Sequence, residues 1–171
     1  EEQIERWHQL CEKYSFSIPH VIVSGGNNRF QSVRNGLNSI GETSGLVAIH
    51  DGVRPFISKR VIEESYSIAE KKGNAVAAVE LKDSIRLIHG TENKSVDRTK
   101  YKIVQTPQTF QIQQIRDAFH KAQHMDFTDD ASVSEAAGYA VELIEGSYDN
   151  IKITTPEDLA MAESILKKFE Y

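Results

Sequence analysis

Five short segments hold the residue types that could bind or activate a ligand. Gly25 and Gly26 are followed by Asn27, Asn28, Arg29 and, three residues on, Ser32. A glycine pair lets the backbone approach a flat ligand closely, and its neighbours offer amide and hydroxyl partners. A plain turn explains the same pair. Asp51 and Arg54 flank Gly52 and Val53, which gives either a charged lip to a site or an ion pair that only holds a turn. Lys82-Asp83-Ser84 and Thr106-Pro107-Gln108 add polar groups, and Lys152 is either a ligand cation or a solvated lysine.

Several other chemistries are excluded. His120 and His124 have the i, i+4 spacing of two zinc ligands, but Lys121 stands where the H-E-x-x-H pattern needs glutamate, and no third ligand is nearby. His50-Asp51 lacks a serine or cysteine at an elbow, so a hydrolase triad is unsupported. Neither G-x-G-x-x-G nor the P-loop pattern occurs, which speaks against dinucleotide dehydrogenases and P-loop ATPases. No metal ligand set is assigned from the residues.

The candidate residues need elements to hold them. His20 to Ser24, Leu46 to His50 and Ala75 to Val79 read as short apolar strands. The spacing predicts helices over 2–14, after Ser32, and over about 59–72, where Ser58 is the cap and Gly73 the stop. This alternation predicts an α/β fold with a mostly parallel sheet and helices on both faces. Ligands in such sheets bind beyond the carboxyl ends of strands, which is where the five segments fall. From Leu81 to Gln105 the pattern changes to an antiparallel excursion, with strands at 84–88 and 101–105. A helix follows at Ile112-Ile115-Phe119, then one capped by Thr128 with Asp129 and Asp130 in its first turn. Short strands are expected at 141–144 and 150–153, the second carrying Lys152. Thr155-Pro156-Glu157-Asp158 opens a last helix running to about Phe169. The 171 residues form one domain.

A net charge of −5 argues against non-specific nucleic-acid binding, though a few local cations leave a phosphorylated substrate open. The single Cys11 rules out an internal disulfide and fits a reducing compartment. No apolar run approaches a membrane span and no signal-peptide pattern opens the sequence, so a cytoplasmic location is expected.

Taken in order, seven segments resemble one family. They are Gly25-Gly26 with Arg29 and Ser32-Val33; His50-Asp51-Gly52-Val53-Arg54-Pro55-Phe56; Lys82-Asp83-Ser84; Val96-Asp97-Arg98; Val104-Gln105-Thr106-Pro107-Gln108; Thr128-Asp129-Asp130-Ala131-Ser132; and Asp149 to Thr154. This pattern is similar to that of the 2-C-methyl-D-erythritol 4-phosphate cytidylyltransferases. The resemblance implies a Rossmann-like three-layer sandwich of the nucleotide-diphospho-sugar transferase type. It also implies transfer of CMP from CTP to the alcohol phosphate, with Mg²⁺, in non-mevalonate isoprenoid synthesis.

By matching motif, the resemblance assigns Gly26, Asn27 and Ser32 to the cytosine; the family usually has an acid where Asn27 stands. Asp51 and Gly52 would line the junction of ribose and substrate, Arg54 and Thr106 would address substrate hydroxyls, and Lys152 would meet the phosphates. Ser84, commonly threonine in the family, and Arg98 lie on an arm at about 82–106 that in the family crosses into the partner of a homodimer. They would complete the neighbour's site. The family opens with a strand, a glycine-rich loop carrying a catalytic arginine, and a lysine beyond. None occurs in this sequence, so at least one βα unit, about 30 residues or more, is expected to be missing, with little turnover from the chain alone. The alternatives are a ribitol-5-phosphate cytidylyltransferase and a non-catalytic dimerisation or nucleotide-binding module.

Overall fold

In the computed structural model, residues 2–168 are described. Helix α1 (Glu2–Lys13) is followed by α2 (Arg29–Ser39), β1 (Leu46–Ile49), α3 (Lys59–Lys72) and β2 (Asn74–Glu80). A hairpin of β3 (Arg86–His89) and β4 (Glu92–Ser95) leads through a 3₁₀ turn at Arg98–Lys100 into the long β5 (Lys102–Gln111). Then come α4 (Ile112–Lys121), α5 (Asp130–Ala136), β6 (Leu143–Glu145) and α6 (Pro156–Leu166). The expected end of the last helix at Phe169 lies outside the described residues.

The central sheet has the order β1-β5-β2-β6. β5 is antiparallel to both β1 and β2, and β6 is parallel to β2. Three strands therefore share one direction and β5 runs against them. The alternation of β2 builds the layers, since successive side chains of a strand face opposite ways. Val76 packs with Phe110, Phe30 and Leu37 of α2, and Ile115 and Phe119 of α4. Ala75 and Ala77 face the other way, onto Val61 and Ala69 of α3 and onto Ile144. The sheet is thus covered on both faces, as the continuous apolar run of β2 requires.

Helix α3 is closed at both ends as expected. The Ser58 hydroxyl accepts from the Val61 amide. Gly73 takes φ +97°, a left-handed conformation that only glycine adopts freely, while donating to the Ala69 carbonyl. At α5 the cap lies one residue later than expected: the Asp129 carboxylate, not Thr128, accepts from the Ser132 amide at 2.9 Å. This leaves the Thr128 side chain lining a pocket.

Three expected strands differ. Residues 20–24 form no strand, and Val21 is 81% exposed. A strand is held by its ladder partner, and no strand of the described residues pairs with this segment. Residues 150–153 form no strand either; their one ladder-like bond is Ile153 N–H to the Val53 carbonyl at 2.9 Å. β5 is the largest difference. The Thr106-Pro107-Gln108 segment reads as a strand terminus, yet β5 continues through it to Gln111. Val76 pairs with Gln108 and Ala78 with Val104, so Gln105, Thr106 and Pro107 bulge opposite a single residue of β2. A bulge is where a ladder can accept a proline, which has no N–H to give. The antiparallel excursion outside the sheet is therefore the β3–β4 hairpin, while 102–106 belong to the central sheet, exposed at 102–104 and buried from Gln105 on.

Candidate active site

The β5 bulge decides where the polar side chains meet. β1 ends with Ile49 opposite Gln108, so the loop that continues from it runs past Gln105 and Thr106. The Asp51 amide donates to the Thr106 hydroxyl at 3.0 Å. The Arg54 amide closes the turn onto the Asp51 carbonyl at 2.9 Å. On the far side, buried Gln105 binds Ser147 through both ends of its amide, accepting from the Ser147 amide and donating to its carbonyl. Buried Asn150 donates to the Thr106 carbonyl at 2.8 Å. The 50–54 loop and the 146–152 segment are thus pinned to the same bulge.

The pinning converges the charges. Asp51 Oδ2 lies 3.2 Å from Arg54 Nε and 3.3 Å from Lys152 Nζ. The Arg54 guanidinium also donates to the Asn150 carbonyl at 2.8 Å. Burial pushes the Asp51 carboxyl up, but Lys152 and Arg54 outweigh it and hold the group below its ordinary value. A carboxyl so depressed stabilises the fold fully above its unfolded pKa of about 3.9 and loses that contribution as pH falls through the folded value. Asp51→Asn is therefore expected to be less stable than the parent at pH 7, with the gap narrowing as pH falls below about 3.9, as read from urea midpoints. A gap that stays constant into acid would contradict the ion-pair account.

A second cluster forms the opposite wall. Asp130 is fully buried, and Arg29, the first residue of α2, grips both its oxygens at 2.9 and 2.6 Å. Burial pushes the Asp130 carboxyl up against the pull of Arg29, and Asp129 and Asp51 add to the push. The same pair keeps the guanidinium charged. Gln108, buried beneath, accepts from the Asp130 and Ala131 amides at 3.0 and 2.8 Å and donates to Asp129 at 3.0 Å. It thereby satisfies two of the amides that a helix start leaves unpaired.

Between the walls lies a pocket of about 360 Å³, lined among others by Arg29, Asp51, Arg54, Thr106, Thr128 and Lys152. Its cations Arg29, Arg54 and Lys152 stand beside the carboxylates of Asp51 and Asp129, with Asp130 gripping Arg29 from the wall, so positive and negative groups alternate around the site. Hydroxyls, a point-charge lysine and forked arginines suit a phosphorylated, hydroxyl-bearing ligand. No group of three or more metal-ligating side chains occurs among the described residues, and His124 stacks on Phe127 at 4.2 Å.

The model of the 2-C-methyl-D-erythritol 4-phosphate cytidylyltransferase family matches residues 1–168. The chain belongs to that family. A cytidylyltransferase of this name from Bacteroides thetaiotaomicron is 44% identical over 165 residues, covering 96% of this chain and 75% of the relative. The crystal structure of 4-diphosphocytidyl-2C-methyl-D-erythritolsynthase from Anaerococcus prevotii superimposes with a TM-score of 0.85 at 29% identity, covering 98% and 75% of the two chains. The Thermus thermophilus 2-C-methyl-D-erythritol 4-phosphate cytidylyltransferase gives a TM-score of 0.79 at 32% identity, over 89% and 78%. The chain thus spans about three quarters of the length of these relatives.

Among cytidylyltransferase motif residues, Asp51, Arg54, Thr106 and Lys152 meet in one pocket. Gly26, Asn27 and Ser32 gather elsewhere, at the start of α2. The Gly26 amide donates to the Ser32 hydroxyl at 2.9 Å, and the Asn27 amide to the Gln31 side chain at 2.9 Å. A Cβ on Gly26 would run into Gln31, which accounts for glycine there. Gly52 is exposed at the turn and does not line the pocket. Ser84 precedes β3, and Arg98 donates to the Lys82 carbonyl at the base of the arm; neither lines this pocket. Sequence reading placed Arg29 and Gln108 among the candidate polar groups, and Thr128 and Asp129 in a family motif, but gave none of the four a specific role. Thr128 and Asp129 were absorbed as helix-start signals, and Gln108 acts only through a bulge that periodicity does not reveal.

Proposed function

We propose that this chain serves in an enzyme that transfers CMP from CTP to 2-C-methyl-D-erythritol 4-phosphate and releases pyrophosphate, in non-mevalonate isoprenoid synthesis, with little turnover expected of the chain by itself. The observation that carries this reading is the convergence of Asp51, Arg54, Thr106 and Lys152 in one pocket of a cytidylyltransferase-family chain. The family match names methylerythritol phosphate, not ribitol phosphate, as the substrate of its members.

A phosphate monoester is largely dianionic at neutral pH, its second pKa being about 6. Its oxygen attacks the α-phosphorus of CTP, the bond to the bridging β-phosphate oxygen breaks, and pyrophosphate carries the electron pair away. No general base is needed, so alignment and charge stabilisation supply the catalysis. Lys152 holds the attacking phosphate near its in-line position. Asp51 keeps Lys152 and Arg54 side by side, and Arg54 with Thr106 addresses the polyol. Gly26, Asn27 and Ser32 hold the cytosine, and Asp51 with Gly52 lies by the ribose.

Magnesium fits the donor set: such an ion is usually bound by one or two carboxylates plus substrate phosphates. Asp129 would hold it here, and it would neutralise charge on the triphosphate. A cytoplasmic location goes with this reading, and no helix of the described residues is long and apolar enough to cross a membrane.

The reading includes a homodimer. A two-stranded hairpin alone is marginally stable, and β3–β4 presents Leu87 at 51% and Ile88 at 65% exposure. Covering it with a second copy would carry Ser84 and Arg98 to the neighbour's substrate phosphate. Mixing Arg98→Ala with Lys152→Ala subunits of the full-length protein is then expected to restore part of the activity, because each mixed dimer holds one site with both residues intact. Dead mixtures despite demonstrated subunit exchange would exclude the crossed arrangement. Pyrophosphate release by the full-length protein with each alcohol phosphate tests the substrate, and a preference for ribitol 5-phosphate would overturn it.

A further inference from the structure

His50 lies just outside the pocket and touches two of its lining residues, Thr106 and Arg54. Its Nε2 is 2.9 Å from the Arg54 carbonyl oxygen, and its Nδ1 is 3.0 Å from the Thr106 hydroxyl. A carbonyl only accepts, so Nε2 carries the proton. In the neutral ring Nδ1 is then an acceptor. The Thr106 hydroxyl must therefore donate its one proton to His50. It also accepts from the Asp51 amide at 3.0 Å, which occupies one lone pair. Only the second lone pair is left for the pocket.

We infer that His50 is a positioning residue that fixes Thr106 as an acceptor, so that this wall takes a substrate hydroxyl and turns away a phosphate oxygen. An acceptor-only hydroxyl bonds an alcohol O–H and repels an anionic oxygen, whereas the Lys152 ammonium attracts the anionic oxygen. The two ends of a polyol phosphate are thereby sorted: hydroxyls toward the β5 bulge and Arg54, phosphate toward Lys152. This rests on the polyol phosphate substrate proposed above, and it assigns the direction in which that substrate lies.

The test uses full-length protein and two readouts, the KM values for both substrates and the calorimetric Kd of methylerythritol phosphate. His50→Ala is expected to raise KM and Kd for the alcohol phosphate by about 3- to 10-fold, the worth of one net hydrogen bond, with the KM for CTP unchanged. Thr106→Val is expected to cost the same, and the double variant no more than either single one. His50→Asn keeps an acceptor near the Nδ1 position and should recover most of the loss. His50→Gln keeps only the contact with the Arg54 carbonyl and should not. Additive penalties, equal rises in both KM values, or rescue by glutamine rather than asparagine would overturn the inference. Absence of CTP-dependent turnover in the parent would instead sink the proposed reaction, and the Kd cycle would still judge His50. If His50→Ala does not fold, the asparagine and glutamine pair decides alone.

Discussion

Arg29→Ala is expected to cost about 3 kcal/mol of stability, near the lower end of the range for breaking a buried ion pair. The lower end applies because the Arg29 side chain is 33% exposed while that of Asp130 is at 0%, so water screens one partner only. Removing the arginine leaves a buried carboxylate with Asp129 and Asp51 as its nearest charges, both of the wrong sign. The pair also ties the start of α2 to the start of α5, so its loss loosens the wall that carries Thr128 and Asp129. A melting temperature lower by roughly 6–12 °C follows for a domain of this size.

The pH dependence gives a second check. Burial already pushes the Asp130 carboxyl upward, and without Arg29 that push is unopposed. An acid raised in the folded state makes the fold less stable as pH climbs from its unfolded value of about 3.9 to its folded one. The deficit of Arg29→Ala should therefore shrink in acid. A loss below about 1 kcal/mol, typical of a surface pair, would refute the buried-charge account.

Lys152→Ala is the second large effect, and it falls on rate rather than stability. Removing one preorganised donor at a developing charge costs about 10²–10³-fold in kcat, and nothing else in the pocket replaces a compact ammonium. Arg54 is committed to Asp51 and the Asn150 carbonyl, and Arg29 to Asp130. The lysine side chain is 46% exposed, so losing its ion pair with Asp51 should cost no more than about 1 kcal/mol of folding stability. Steady-state kinetics of full-length protein beside its urea midpoint separate the two. A kcat loss under tenfold with an intact fold would remove Lys152 from the catalytic role.

Much of this site was legible as strand-end motifs because the residues that end a strand are local in sequence. Asp51 and Arg54 sit in one turn, and their ion pair needed no knowledge of the rest. Lys152 was assigned by motif, but its position beside Asp51 depends on a long-range tie through Gln105 and Asn150 to the bulge. The bulge itself was hidden. Thr106-Pro107-Gln108 carries a strand terminator by composition, and only the pairing on both sides shows that the strand passes through it. Residues 20–24 failed in the opposite way: the apolar run was strand-like, but a strand exists only with a neighbour. Arg29 and Asp130, 101 residues apart, had no local signal of their pairing.

The place of β5 in the middle of the sheet has a consequence for synthesis. Leu46 pairs with Gln111 and Asn74 with Phe110, so β1 and β2 leave the ribosome before the strand that joins them. At about 5–20 residues per second, the roughly 60 residues between β1 and its partner take several seconds to appear. During that interval the nascent chain carries two apolar strands with open edges, and it is then, rather than in the finished protein, that chaperone capture matters most.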